Sequence, residues 1–315
     1  MGAGKIAADF NAEAWKAPEV TPDIPHGDMP GDRINIDEGH IAKVNLVFPG
    51  VMEELAKVLA ANPHEKAVIT VCGGSGVGKS ESASVLAWYL NSLGIGAYVI
   101  SGDNYPRRIP LYNDAERVSI FRNGGIRGLV ASGLADAEKM QTVRRLQEQD
   151  LDAAKETVQE YPWMAAYQKA GRSALAGYLG TEKEQGFEVL SDILEQFKNG
   201  AERIWLKRMG RTDTELWYDE VDFSGISVMI LEWTHGNSDG VVGVDIPILL
   251  NSTPQETADY RRKRARDGKT DSPFTTMVLE LEQAKLEAAA HKAKFIITKD
   301  CRLITYAQYR ELMAK

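Results

Sequence analysis

The segment "VCGGSGVGKSES" (71–82) places four glycines, a lysine and two serines within the eight positions Gly73–Ser80. It fits the pattern G-x-x-x-x-G-K-[ST] at Gly73, Gly78, Lys79 and Ser80. So few side chains let backbone N–H groups, and the N-terminus of a following helix, close in on phosphate oxygens. Gly73, Gly74, Ser75, Gly76, Val77, Gly78, Lys79 and Ser80 are therefore expected to cradle the phosphates of ATP. Lys79 would neutralise the β- and γ-phosphates, and Ser80 would ligate Mg²⁺.

Two acids stand where they could act on such a nucleotide. "YVISGDNYPRR" (98–108) ends a strand-like run and delivers Asp103 to a strand's carboxyl end, the edge at which open α/β sheets bind ligands. A carboxylate there can take the proton of an attacking hydroxyl. Tyr105, Arg107 and Arg108 follow at once and are expected to meet the acceptor. Glu232 closes the run "VMILE" and could hold the metal's hydration shell opposite Ser80. His235, three positions on, is either a substrate contact or a loop histidine without a catalytic role. "YRRKRARDGK" (260–269) gathers arginines on one capped helix. Arg262 and Arg266 lie four apart on one face, which suits a lid that neutralises the transferring phosphoryl group.

The elements that must position these residues follow from pattern. "KAVITVC", "GAYVIS", "ISVMILE", "VGVDIPILL" and "AKFIIT" read as five buried strands. They alternate with helical stretches, among them "ESASVLAWYLNSLG", which predicts a parallel sheet covered on both faces. "IAKVNLVFPGVMEELAKVLA" becomes helical after Pro49. Thr253 with Glu256, and Ser272 with Pro273, are helix-start signals. Residues 1–40, rich in Pro, Asp and Gly, read as an irregular arm. Residues 41–315 form the kinase-like domain, with a mostly helical acceptor-side region at 126–200 and a lid at 253–270.

Composition bounds the rest. The 315 residues carry a net charge of −8, with 43% hydrophobic and 26% charged residues, ordinary values for a globular enzyme. The acidic balance argues against a nucleic-acid or anionic-membrane partner. Cys72 and Cys301 have no metal-ligand spacing and suit a reducing cytoplasm. No run suggests a signal peptide or a membrane span.

In their order along the chain, "GGSGVGKS", "SGDNY", "VMILEWTHG", "VDIPILLN" and "RRKRARD" resemble the uridine kinase and phosphoribulokinase family of P-loop kinases. The resemblance covers roughly 67–298. It implies an α/β P-loop fold, Asp103 as the base that deprotonates the acceptor hydroxyl, Glu232 as the acid of the family's Glu-Gly-(Ile or Leu) segment, and a lid role for Arg262 and Arg266. Trp233 stands where that family has glycine. "GFEVLSDILEQFKNGAERIWL" resembles the helix before a substrate-facing hairpin. Lys207, Arg208 and Arg211 would then fall where the acceptor is held, and cations there would favour an anionic sugar; edge-strand charges that prevent aggregation are the competing explanation. The 129 positions from Asp103 to Glu232 imply a helical insertion, 126–180, that caps the acceptor pocket or builds a homodimer contact.

The expected activity is transfer of the γ-phosphoryl group of ATP to a hydroxyl of a small sugar, sugar-phosphate or nucleoside acceptor. An adenylylsulfate kinase is the alternative within enzymes, although Ser101 replaces the first acid of that family's segment. A nucleotide-dependent switch is the alternative of another class; "TKD" (298–300) lacks the asparagine its base-reading motif needs.

Overall fold

The computed structural model describes residues 2–21, 24–264 and 272–314. Its strands are Ala67–Gly73 (β1), Ala97–Ser101 (β2), Arg203–Met209 (β3), Leu216–Asp222 (β4), Val228–Glu232 (β5), Ile246–Leu250 (β6), Phe295–Ile297 (β7) and Leu303–Ile304 (β8). The main sheet has the order β2-β5-β1-β6-β7-β8. Its first five strands are parallel and β8 runs antiparallel to β7. The five parallel strands are those the β-branched runs predict. The sixth strand is a correction to the expected five, and two residues are too short to leave a pattern. β1 and β5 are buried along their whole length, as continuous apolar strands covered on both faces should be.

The helices are Ala3–Ala8 (α1), Glu38–Ala61 (α2), Lys79–Ser92 (α3), Pro110–Ala131 (α4), Ala137–Glu148 (α5), Glu156–Glu160 (α6), Met164–Ala176 (α7), Phe187–Lys198 (α8), Ala258–Arg264 (α9), Pro273–Ala289 (α10) and Tyr306–Met313 (α11). Two differ from expectation. α2 starts at Glu38 rather than after Pro49, because Asp37 caps it by accepting from His40 N at 3.0 Å and its apolar face is driven into the core. Val44, Val47, Phe48, Val51, Met52, Leu55 and Leu59 are all buried there. That burial outweighs the one backbone bond that Pro49 removes. α1 lies within the stretch expected to be irregular. Its Ala3 and Ala7 pack in the same core as α2, and that tertiary contact supplies what the local sequence does not.

α2 and α3 cover one face of the sheet with β1, β2, β5 and β6 beneath them. α8 and the antiparallel β3–β4 hairpin close over Val68, Met229 and Leu231. α4, α7 and α10 form a further layer around Phe121, Tyr167 and Met277. α4 and α7 approach closely because small residues face each other. A Cβ on Gly128 would fall 2.2 Å from that of Ala170, so a larger side chain would drive the two helices apart. Ser272 and Pro273 open α10 as predicted, with the Ser272 hydroxyl accepting from Thr275 N at 3.0 Å. Thr253 and Glu256 exchange their capping bonds, but α9 begins only at Ala258.

Candidate active site

Sheet register builds the site. Glu232 at the end of β5 is paired with Val71 of β1 on one side and Ser101 of β2 on the other. Paired residues on neighbouring parallel strands point to the same face, so Ser101 and Glu232 meet. The Ser101 hydroxyl donates to Glu232 Oε1 at 2.5 Å, and the Ser80 hydroxyl, from the first turn of α3, donates to Oε2 at 3.1 Å. Glu232 is buried. Desolvation, reinforced by the charge of nearby Asp103 and opposed by Lys79, pushes its carboxyl up to about 7.

The glycine loop joins β1 to α3. Gly78 caps α3 with φ of +90°, and a Cβ there would fall 2.4 Å from the His40 ring; glycine meets both demands. Lys43 reaches from α2 to donate to the Val77 carbonyl at 3.3 Å, holding the loop from below. The Lys79 ammonium donates to the Gly74 carbonyl at 3.3 Å, so it already lies over the concave side of the loop.

Ser75, Lys79, Ser80, Asp103, Arg108, Arg211 and Glu232 line a single cleft of 260 Å³. A second cavity of 530 Å³ adjoins it, sharing Ser75, Asp103, Asp114, Arg117 and Thr234 and extending between α4 and α10 past Phe121 and Phe274. Other sequence-predicted residues do not line the cleft. Arg107 pairs with Glu188 at 2.9 Å and donates to the Glu182 carbonyl. Tyr105 is packed in the core around Phe187 and Trp233. Lys207 donates to the Pro106 carbonyl at 2.9 Å, and burial, with Arg107 nearby, lowers its ammonium to about 8. Arg208 is buried against Asp28 at 2.8 Å. Of the three hairpin cations expected at the acceptor, Lys207 and Arg208 are therefore turned away from the cleft and Arg211 lines it.

His235 is buried, stands edge-on to Trp233 and lines a separate 190 Å³ cavity with Cys72 and Gly180. Burial lowers its imidazole to about 4, so it is neutral near pH 7. On α9, Arg262 pairs outward with Asp259 at 3.1 Å. Its neighbour Arg261 lines the cleft instead, held by the Pro254 carbonyl and the Thr257 hydroxyl. Arg266 lies outside the described residues, as does the end of the 253–270 lid.

Several cleft residues escaped the sequence reading. Asn113, Asp114 and Arg117 come from the first turns of α4. Arg117 is anchored by Glu184 at 2.5 Å, an acid 67 positions away, so no local spacing marks it. Arg261 was visible within the basic run, but only the exact helix phase tells it from Arg262. Met29 and Asp32 of the arm also reach the cleft.

Among the described residues, no cluster of three or more His, Cys, Asp or Glu side chains could hold a metal ion by itself. The hydroxyl of Ser80 and the carboxylate of Glu232 are hard oxygen donors in contact with each other. Such a sparse set fits Mg²⁺, which keeps several waters and relies on nucleotide phosphates. Among the described residues, no helix is long and apolar enough to cross a membrane.

No protein-family model matches the chain. Over 248 residues, 79% of its length, the chain is 38% identical to the bifunctional alpha-galactosidase/sucrose kinase AgaSK of Mediterraneibacter gnavus. It spans 22% of that relative's length. Among solved structures, D-glycerate 3-kinase from Cryptococcus neoformans var. grubii superposes with a TM-score of 0.47 at 12% identity, over 84% of this chain and 98% of that one. A protein assigned as a fructose transport system kinase from Silicibacter sp. TM1040 gives 0.46 at 16% identity, over 81% and 96%. The α/β fold with its phosphate loop and the sequence relationship to AgaSK accord with the resemblance to P-loop kinases carried by the ordered motifs.

Proposed function

We propose that the chain, a homologue of AgaSK with a P-loop kinase fold, is an ATP-dependent kinase that phosphorylates a hydroxyl of a sugar. The observation that carries this is the convergence of Lys79, Ser80, Asp103 and Glu232 on one cleft. Of the two activities in the relative's name, only phosphoryl transfer needs a phosphate-cradling loop, so sucrose or a similar sugar is the first acceptor to test.

In this reading the loop Gly73–Ser80 binds the triphosphate through backbone N–H groups. Ser80 and Glu232 would hold Mg²⁺, whose charge offsets that of the β- and γ-phosphates. Asp103 accepts the proton of the sugar hydroxyl as its oxygen bonds to the γ-phosphorus and the bond from that phosphorus to the β,γ-bridging oxygen breaks. Lys79 and Arg261 stabilise the charge on the transferring group. The 530 Å³ cavity beside Asp103 gives the acceptor room beyond its reacting hydroxyl. Its mixture of ring faces, guanidinium groups and carboxylates suits the alternating apolar and hydroxyl surfaces of a sugar. With Lys207 and Arg208 turned away, the case for an anionic acceptor rests instead on Arg108, Arg117 and Arg211, which line the cleft.

The test is ADP release by the purified chain with ATP and Mg²⁺ against sucrose, glucose, fructose, glycerate, uridine and adenylylsulfate. Release that depends on a sugar is the expected result. Release with adenylylsulfate alone would identify the alternative kinase, and acceptor-independent release with GTP would identify a switch.

A further inference from the structure

We propose that Asp28, in the N-terminal arm, is a positioning residue for the catalytic base: its carboxylate clamps both sides of the turn that carries Asp103. The inference rests on the reading of Asp103 as that base and concerns a residue outside the span that resembles P-loop kinases. Asp28 Oδ1 accepts from Ser101 N at 2.8 Å, two positions before Asp103, and from Asn104 Nδ2 at 2.9 Å, one position after it. Asp28 Oδ2 accepts from Tyr98 OH at 3.0 Å and from Arg208 at 2.8 Å. The side chains of Asp28 and Arg208 are each 8% exposed. Asn104 in turn accepts from Met209 N at 3.0 Å.

Four hydrogen bonds converge on this one buried carboxylate, and the two from Ser101 N and Asn104 flank the turn Gly102–Asn104 and restrict it. Ser101, the residue whose backbone Asp28 holds, also donates its hydroxyl to Glu232. One arm residue therefore sets the base directly and the metal-side acid at one remove. The neighbouring Gly27 lies beside the same residues: a Cβ there would sit at ordinary contact distance, 3.4 Å from Glu232 Oε1 and 3.6 Å from Ser101 Cβ. The arm is thus packed against the site rather than passing near it.

Replacing Asp28 by Asn removes the charge and forces an amide donor against the donors that surround it. Displacement of a reacting group by about 1 Å can cost about a hundredfold in rate. Asp28→Asn is expected to lower kcat about ten- to a hundredfold while the KM for ATP stays within about twofold. Because the variant also takes from the buried Arg208 guanidinium the nearer of its two carboxylate partners, leaving Asp219 at 3.2 Å, the double variant Asp28→Asn/Arg208→Met is made alongside it. Turnover is divided by the fraction of chain that still binds ATP. If Asp28 positions the base, the double variant regains thermal stability but not kcat. Recovery of kcat with stability would make Asp28 a charge partner only and overturn the proposal, as would near-wild-type kcat in Asp28→Asn. Asp103→Asn serves as the reference. If it retains turnover, the reading of the base fails; if it is inactive while Asp28→Asn is not, only the positioning role fails.

Discussion

The indole of Trp233 lies directly against Gly102. A Cβ added at Gly102 would fall 2.1 Å from Trp233 Cγ. The two residues follow Ser101 and Glu232, which are paired across β2 and β5. Trp233, which departs from the glycine of the resembled family, thus fills space that glycine provides on the opposing strand. Gly102→Ala is expected to lower stability by about 1–3 kcal/mol through overpacking and to displace the adjacent Asp103. Thermal unfolding and kcat check this; a variant with unchanged Tm and unchanged kcat would show the contact to be soft.

Asp103→Asn should keep ATP affinity within about twofold yet lose about 10²- to 10⁴-fold in acceptor-dependent ADP release, the range for a lost general base. Lys79→Ala should instead weaken both nucleotide binding and turnover, since in the proposed reading its ammonium would face the phosphates in ground state and transition state alike. Isothermal titration with ATP and steady-state kinetics separate the two patterns.

Neighbouring arginines on α9 should behave differently. Arg261 lines the cleft, whereas Arg262 pairs outward with Asp259. Arg261→Met is predicted to cut kcat about tenfold or more, and Arg262→Met to leave it within about twofold, as exposed ion pairs contribute little. Equal losses in the two variants would mean that closure on substrate rotates α9.

The buried Glu232 makes a pH prediction. Its carboxyl sits at about 7, against an ordinary value of 4.5, because burial and Asp103 disfavour its charge. Between those values the folded, metal-free chain holds a proton that the unfolded chain has released. Its contribution to stability is therefore present below 4.5 and lost as pH rises through about 7. The Tm of the wild type relative to Glu232→Gln should fall as pH rises from about 5 to about 8. In the proposed reading Glu232 would hold Mg²⁺ as the carboxylate, so apparent Mg²⁺ affinity should weaken below about pH 7. Calorimetry in two buffers of different ionisation enthalpy would detect the released proton, and a Tm difference that is flat with pH would count against the raised value.

The parallel strands and the phosphate loop were legible because their signals are local: β-branched runs, a glycine spacing and a helix start are each written within a dozen residues. The acids at the strand ends were legible for the same reason. What escaped depends on partners far off in sequence. Lys207 and Arg208 read as acceptor contacts because a strand's pattern does not say what lies beyond its ends; Pro106 and Asp28 claim them. Arg117 had no local mark, and its place is set by Glu184 and by the packing of α4 on α7. α2 ran through Pro49 because core burial overrode a local breaker. His235 looked chemical by type, but its burial makes it a neutral packing group.

The bond between Asp28 and Arg208 joins positions 180 apart in the chain. Arg208 is therefore made after β1, the phosphate loop and β2, but before β5 and β6, the strands with which β1 pairs. Until β5 is made, β1 and β2 lack the strand that pairs with both, so the clasp on the turn that carries Asp103 and the central sheet should be completed in the same stage of synthesis.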